Sequence, residues 1–409
     1  MGLDELRRRS RDLLLNIIRS AAERRRVAAA IAEEKIKEGI PIEDPDVEAS
    51  LWDASVAEAL RGEMDERSAG RLTWELVRDA LVAEGAIREE PLYPPASYED
   101  VVRLDLDLWE PLAEPGAASS QSLEGAEAEL ASALGVRPGE LVSFPSWRDA
   151  LRAVLRALAE GVGVVLYEPV HPWIPMAVWE AGGRPYRVHR EFGDCWRLRP
   201  PSPARRGWVI LYEDPDYVTG TSRGDGELSE LEESAESARM SLVHLGLCSA
   251  LSLRDRGPRK DALSIGGVGC ALGSLDAGIS WVVAPGISDR LRRIRDMMGD
   301  LPRPRDVSAA SALLSSESLA RMRGLVSRRL EYLRSIIAGR LSYCEPSSGP
   351  HLFAYGPRQP AWRSGVAVAR GLAFGSYPGW FRVNFMVGEE DLRLGLGRLI
   401  LSLLPRWPA

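Results

Sequence analysis

Residues Leu3 to Glu48 have the sequence LDELRRRSRDLLLNIIRSAAERRRVAAAIAEEKIKEGIPIEDPDVE, in which a helical pattern carries many positive charges. Apolar residues recur every three or four positions, which predicts one apolar helix face. They are Leu3, Leu6, Leu13, Leu14, Ile17, Ile18, Ala21, Ala22, Ala28 and Ile31. Gly39 and Pro41 are expected to end this helix. The stretch therefore predicts a long amphipathic helix that packs against partner helices.

The cations of this helix divide into two directions. Arg24 and Lys35 share a face and lie about 16 Å apart along the axis, whereas Arg7 points about 100° away. One helix copy is expected to bind a small dianion with Arg24 and Lys35, while Arg7 serves a neighbouring copy. The alternative is a solvated basic face. Only three of the 52 Lys and Arg residues are lysine, so a lysine at position 35 is less expected by chance.

With this spacing, residues 3 to about 86 resemble the all-helical chorismate mutases. That family implies a three-helix, intertwined homodimer that converts chorismate to prephenate in aromatic amino acid biosynthesis, the shikimate pathway. By this resemblance Arg7 is the arginine donated to the partner's site. Arg24 is the carboxylate-binding arginine of the same chain, and Lys35 is the lysine that reaches the ether oxygen.

The rest of the implied mutase site lies further along the chain. Asp44 and Glu48 match the acidic pair at the substrate hydroxyl, and Glu84 matches the residue that donates to the ether oxygen. Val47 and Ala80 depart from the family pattern, which has an arginine and a serine or asparagine there. The second helix is expected over residues 46–61 and the third over residues 68–84.

Length and charge set further limits. A chain of 409 residues predicts two or three domains. The net charge of −7 argues against nucleic acid as a partner. The chain start lacks a signal-peptide pattern, and no apolar run approaches membrane length, so we expect a cytoplasmic protein without a membrane partner.

The cysteines predict neither zinc binding nor disulfides. Cys195, Cys248, Cys270 and Cys344 are widely spaced without a C-x-x-C pair, and the four histidines do not cluster with them. We therefore expect buried thiols and no metal.

After a proline-rich stretch the pattern changes to short apolar runs that alternate with helices. This predicts a largely parallel sheet with helices on both faces, followed by an α+β lobe. The domains are expected to be a helical domain at 1–88, a linker at 89–100 and an α/β domain at 101–409.

Three motifs of the second domain resemble fold-type I pyridoxal-phosphate aminotransferases, closest to the histidinol-phosphate aminotransferase-like branch. They are Arg103 to Pro111 (RLDLDLWEP), Tyr167 to Pro172 (YEPVHP) and Asp214 to Thr221 (DPDYVTGT). The resemblance extends from Val101 to Leu404. It implies the aminotransferase fold, usually as a homodimer.

The same resemblance implies that the cofactor chemistry is lost. The lysine that forms the aldimine falls on Cys270, and a Schiff base requires an amine. The partners of the cofactor's phosphate, phenolic oxygen and pyridinium fall on Gly278, Tyr217 and Leu245, and a nearby tyrosine falls on Cys248. We therefore expect a pseudoenzyme that binds no pyridoxal phosphate.

Two further features of this domain have a structural and a functional interpretation. Arg382 matches the arginine with which aminotransferases bind a substrate carboxylate; the structural alternative is an arginine paired with an internal acid. Gly266 to Gly273 (GGVGCALG) resembles a phosphate-binding loop but lacks its Gly-Lys-Ser/Thr ending, so we interpret it as a turn.

Three functions follow from these patterns. The first is a chorismate mutase whose aminotransferase-like domain is a scaffold or senses an aromatic amino acid. The second is a non-catalytic small-molecule-binding regulatory protein. The third is a pyridoxal-phosphate-dependent aminotransferase acting on prephenate or an aromatic substrate.

Overall fold

The computed structural model describes residues 2–38, twelve separate residues between 51 and 83, and 101–109, 111, 122–202, 204–253, 262–356, 365–377 and 379–403. The chain divides into two compact units, Met1–Leu92 and Tyr93–Ala409. The expected linker at 89–100 lies outside the described residues. Within the described part, no helix combines the length and apolarity needed to cross a bilayer.

The first unit begins with helix α1, Leu3–Glu38. Asp4 and Glu5 in its first turn and Lys35 and Lys37 in its last turn complement the helix dipole. In the segments expected to form the second and third helices, the described helical residues are Leu51, Ala54, Ser55, Ala57, Glu58, Arg61, Leu72, Leu76, Ala80 and Ala83. The three-helix bundle itself stays a prediction.

The apolar face of α1 is exposed within a single chain. Leu13, Leu14, Ile17 and Ile18 are 56%, 59%, 49% and 59% exposed. Among the described side chains of α1, only Ala28 and Ala32 are buried. Because burying a large aliphatic side chain contributes about 1.5 to 3 kcal/mol, this face favours a partner.

A seven-stranded sheet forms the core of the second unit. Its strands are β2 (Leu141–Phe144), β3 (Gly163–Glu168), β4 (Arg184–His189), β5 (Val209–Glu213), β6 (Ser241–Gly246), β7 (Leu263–Gly267) and β8 (Ser280–Val283). Their order is β2-β8-β7-β6-β5-β3-β4. The strands β4, β3, β5, β6 and β7 run parallel, and β8 is antiparallel to both of its neighbours. The expected largely parallel sheet is confirmed, with β8 as its antiparallel strand.

Helices cover both faces of this sheet. They are α2 (Leu123–Leu134), α3 (Trp147–Leu158), α4 (Trp173–Glu180), α5 (Asp225–Ala238), α6 (Ser288–Met298) and α7 (Pro304–Leu313). Two further helices, α8 (Ser316–Ile337) and α9 (Glu389–Leu403), belong to the C-terminal lobe. Alternate residues of a strand point to opposite faces. Accordingly Val164 and Leu166 pack into the cluster that contains α3, whereas Val165 and Tyr167 pack against α5. The core is therefore divided by the sheet.

The C-terminal lobe contains the small sheets. Strands β9 (Ser342–Tyr343), β10 (His351–Tyr355), β12 (Ala369–Arg370) and β13 (Trp380–Asn384) form an antiparallel sheet, and β1 (Val102–Arg103) pairs with β11 (Val366–Ala367). The sequence pattern of the tail predicts one helix over residues 308–339, whereas the structure has two, α7 and α8. The break occurs where the Ser315 hydroxyl accepts a hydrogen bond from the Ser318 backbone N–H and caps α8.

The expectation of free thiols is wrong. The structure pairs Cys195 with Cys344 and Cys248 with Cys270 as disulfides, with Cα–Cα distances of 5.4 and 5.3 Å. These distances lie in the range that a disulfide bridges. The partners are 149 and 22 positions apart, and only the fold brings them together.

Candidate functional site

The cleft of the second unit lies where four parallel strands end. Residues following β3, β5, β6 and β7 include His171, Tyr217, Cys248 and Cys270. In open α/β sheets, ligands bind in the crevice outside the carboxyl ends of the strands. We therefore take this crevice as the candidate site.

A carboxylate from the segment after β1 lies at the centre of the crevice. Asp107 Oδ1 is 2.5 Å from Arg382 Nη2 and 3.4 Å from His351 Nε2. Asp107 Oδ2 is 3.9 Å from His171 Nε2. The segment is fixed to β13, because the Asn384 side-chain amide donates to the backbone carbonyls of Leu106 (2.9 Å) and Leu108 (3.0 Å). One aspartate is thus held against an arginine and two histidines.

Hydrogen bonds determine which nitrogen of each histidine carries the proton. His171 Nδ1 accepts the Trp173 backbone N–H (3.2 Å), so the proton of a neutral His171 lies on Nε2, towards Asp107. His351 Nδ1 lies 2.9 Å from the Tyr217 carbonyl oxygen and must donate to it. A neutral His351 therefore presents a bare Nε2 to the site.

Burial and neighbouring charges set the ionisation of the cluster. Burial would raise the pKa of Asp107, but the Arg382 guanidinium holds that pKa well below its usual range. Burial lowers the pKa of His171, and burial together with Arg382 lowers the pKa of His351. Burial and Asp107 raise the pKa of Tyr217. At neutral pH the site consists of one ion pair surrounded by neutral donors and acceptors.

Several polar atoms of the site are buried without a hydrogen-bond partner among the described residues. They are Tyr217 Oη, His351 Nε2, Arg382 Nε and Arg382 Nη1. The side chains that carry them are at most 3% exposed. A buried polar group without a partner costs about 1 to 3 kcal/mol, so this cluster has unused capacity for a polar ligand.

These residues do not fit pyridoxal phosphate. Cys270, which the resemblance places at the lysine position, is buried and its sulfur is bonded to Cys248. Leu245, at the position of the pyridinium partner, is apolar and buried, and Gly278 offers no cation to a phosphate. Lys260 lies outside the described residues, and the other two lysines belong to α1.

The cluster is also unsuited to a metal ion. His171 carries its proton on the nitrogen that faces Asp107, and Arg382 already contacts that carboxylate. Over the described ranges, no group of three histidine, cysteine, aspartate or glutamate side chains has the arrangement that holds a metal.

In the first unit, the structure places some of the expected mutase residues. Arg24 is half-buried, and its Nη1 donates to the Leu76 backbone carbonyl. Lys35 is half-buried, and Arg7 is exposed with Nη1 3.5 Å from Asp4 Oδ1. Asp44, Glu48 and Glu84 lie outside the described residues. Arg24 thus contacts the segment expected to form the third helix.

Sequence reasoning identified Arg382 and named Tyr217 only as the position of a lost cofactor partner, and it missed Asp107, His171 and His351. Asp107, His171 and Tyr217 lie inside the three motifs that indicate the fold, and His351 precedes the apolar run of β10. These motifs have lost their cofactor-binding residues but still contain ionisable side chains. Those side chains could have indicated the site.

At the level of sequence, no protein-family model and no curated protein matches this chain. Solved structures do resemble it. The Thermotoga maritima aspartate aminotransferase is 17% identical with a TM-score of 0.64, covering 82% of this chain and 96% of that one. The Pyrococcus horikoshii aromatic aminotransferase is 18% identical with a TM-score of 0.65, covering 75% and 96%.

The Thermus thermophilus aspartate aminotransferase, solved with maleate, is 19% identical with a TM-score of 0.62 and covers 74% of this chain and 92% of that one. Identities this low show a common fold and leave the chemistry open. The chain therefore has an α/β fold of the fold-type I aminotransferase kind.

Proposed function

We propose that the first unit is a chorismate mutase that works as a homodimer and converts chorismate to prephenate. The observation that carries this proposal is the exposed apolar face of α1, on a helix whose cations point in two directions. A second copy that covers this face brings its own Arg7 towards the Arg24 and Lys35 of the first copy. The expected site is thus shared between two chains.

The rearrangement suits such a set of cations. It is pericyclic and forms no covalent bond to the protein, so the protein contributes by holding the compact conformer and stabilising charge on the breaking C–O bond. The two substrate carboxylates match the arginines Arg7 and Arg24. Lys35 and Glu84 are proposed to donate to the ether oxygen, and Asp44 and Glu48 to bind the hydroxyl end.

For the second unit we propose a scaffold or regulatory role. The unpartnered donors of Arg382 and the bare Nε2 of His351 favour binding of an aromatic amino acid, with Arg382 on its carboxylate. Binding there changes the mutase rate only if the ligand prefers one arrangement of the mutase helices.

Prephenate formation by the purified full chain tests the proposal. We expect turnover by the wild type and a loss of about 100-fold or more in Arg24→Ala, because the compact reactive conformer loses the arginine that holds one of its carboxylates. Arg26→Ala, on the opposite side of α1, is the matched control and should keep wild-type turnover. A wild-type chain that forms no prephenate would leave the non-catalytic binding protein as the better description.

The aminotransferase hypothesis has its own test. An absorbance band near 400 to 430 nm after mixing with pyridoxal phosphate would indicate an internal Schiff base. We expect no band, because the position of the amine is occupied by a bonded sulfur.

A further inference from the structure

The Arg382 guanidinium is only partly used by Asp107. Its contacts with acceptors are both made by Nη2, to Asp107 Oδ1 (2.5 Å) and to the Asp105 carbonyl (3.2 Å). Arg382 Nε and Nη1 have no partner among the described residues. A carboxylate binds a guanidinium most strongly through two parallel hydrogen bonds along one edge. Asp107 provides a single hydrogen bond instead.

Both two-point edges of a guanidinium include Nη2, since one edge pairs Nε with Nη2 and the other pairs Nη1 with Nη2. As long as Asp107 and the Asp105 carbonyl use Nη2, an external carboxylate has no complete edge available. The arginine is therefore blocked by a carboxylate of its own chain.

We propose that Asp107 is an internal competitor for the carboxylate site of Arg382, and that an aromatic amino acid binds there only by displacing the Asp107 side chain. This inference rests on the regulatory role proposed for the second unit. It adds a threshold to that role, because the ligand must bind Arg382 more favourably than the Asp107 side chain does.

The surroundings determine the class of ligand. The Arg382 guanidinium carbon lies 4.7 Å from the Phe374 ring centre and 5.5 Å from the Tyr217 ring centre, so aromatic rings surround the carboxylate site. The bare His351 Nε2 requires a hydrogen-bond donor, which an α-ammonium group supplies. An aromatic α-amino acid carries all three features.

The position of Asp107 permits displacement. Its side chain is 27% exposed, whereas that of Arg382 is 1% exposed. The aspartate can therefore turn towards solvent while the arginine stays buried. The released carboxylate then regains water, which lowers the cost of exchange.

Titration calorimetry with L-phenylalanine tests the competition in the full chain. Removing the competitor makes the binding-competent state dominant, so we expect Asp107→Ala to bind L-phenylalanine about 10-fold or more tightly than the wild type does. Asp107→Asn keeps the shape without the charge and should also bind more tightly than the wild type. It carries the test if the alanine variant does not fold.

Three controls test whether binding depends on Asp107, on the carboxylate of the ligand and on Arg382. Asp289→Ala removes an exposed acid that pairs with Arg292 and should bind as the wild type does. L-Phenylalaninamide, which lacks the carboxylate, should not bind Asp107→Ala. Adding Arg382→Ala to Asp107→Ala should abolish binding of L-phenylalanine.

Equal affinity of the wild type and the folded Asp107 variants, or no binding by either folded variant, would overturn the proposal. No chorismate is present in this titration. Its failure would therefore leave the mutase proposal intact, and a mutase assay without turnover would leave the competition standing.

Discussion

Glu213 and Asp216 are two buried carboxyl groups three positions apart whose ionisation differs. Asp216 Oδ2 accepts hydrogen bonds from Arg190 Nη2 (2.6 Å) and Arg223 Nη2. Despite burial, these guanidinium groups lower the pKa of Asp216. Burial and the negative Asp216 raise the pKa of Glu213 to about 8. At neutral pH Glu213 is therefore protonated in the fold.

This difference predicts a pH-dependent stability. Because the folded pKa of Glu213 lies above its ordinary value of 4.5, its contribution is fully present below pH 4.5 and is lost as pH rises towards about 8. Between pH 6.5 and 8 we expect the free energy of unfolding to fall by about 1 to 2 kcal/mol. Denaturant titrations at the two pH values measure it.

Glu213→Gln should lose this slope, since an amide does not titrate in the range. The exposed Glu230→Gln, which removes an ion pair with Arg197, is the control and should keep it. His171 and His351 have lowered folded pKa values, so their contributions are lost as pH falls through about 6.5. They act alike in the wild type and in Glu213→Gln, so the difference between the two slopes measures Glu213. An equal slope in wild type and Glu213→Gln would contradict the assignment.

Of the ion pair between Arg382 and Asp107, the sequence predicted only the arginine. Arg382 was recognisable because it lies in an apolar strand motif, and its pairing with an internal acid was the structural alternative. The identity of that acid was not predictable, because Asp107 lies 275 positions away and meets Arg382 only through the packing of its segment on β13.

At the scale of elements, the glycine-rich stretch is partly the expected turn, formed by Gly269–Leu272 and capped by Gly273, and partly a strand. Gly266 and Gly267 belong to β7, and Gly266 is paired with Trp281 of β8. A Cβ at Gly266 would lie 2.6 Å from the Trp281 indole. Position 266 requires glycine because the Trp281 side chain on the neighbouring strand occupies the space of a Cβ. This requirement was not predictable, because it depends on the register between the two strands.

Gly266→Ala should therefore destabilise the second unit by about 1 to 3 kcal/mol, because the added methyl overlaps a buried ring. Gly226→Ala in α5 is a matched control, since no heavy atom lies within 4 Å of the Cβ built there. In a helix, alanine is expected to stabilise by up to about 1 kcal/mol. Thermal unfolding of the two variants compares them, and a Gly266→Ala variant as stable as Gly226→Ala would refute the packing argument.

The other elements of the second unit were largely predictable, because each is an apolar run bounded by turn residues. Strand β3, Gly163–Glu168, and helix α5, Asp225–Ala238, lie within a few positions of their expected ranges. The direction of β8 was not predictable, since an apolar run is the same in parallel and antiparallel sheets.

At the scale of the whole molecule, the order of elements predicted the fold of the second unit, while α1 of the first unit exposes an apolar face within one chain. The length of α1 was predictable from its periodicity and from Gly39. The packing partner of Leu13, Ile17 and Ile18 was not predictable, because these side chains are exposed within one chain. The proposed mutase site is shared between two chains, so its test must detect whether two chains together form an active site.

A mixture of two inactive variants provides that test. If each site takes Arg24 from one chain and Arg7 from the other, Arg7→Ala and Arg24→Ala homodimers both lack an essential cation. A heterodimer of the two has one site with both arginines and one with neither. After unfolding and refolding together in equal amounts, half of the dimers are mixed by random pairing. We expect about one quarter of the wild-type prephenate turnover, because half of the dimers are mixed and each mixed dimer has one active site of two.

The control is the same mixture without refolding, which should remain inactive for as long as the intertwined dimers do not exchange. A second control mixes Arg24→Ala with Lys35→Ala, two changes in residues expected to serve the same site of one chain. Each heterodimer site then lacks one cation, and no recovery is expected. Recovery only in the first refolded mixture would require that Arg7 and Arg24 act across two chains, whereas equal recovery in both refolded mixtures, or none in either, contradicts a shared site.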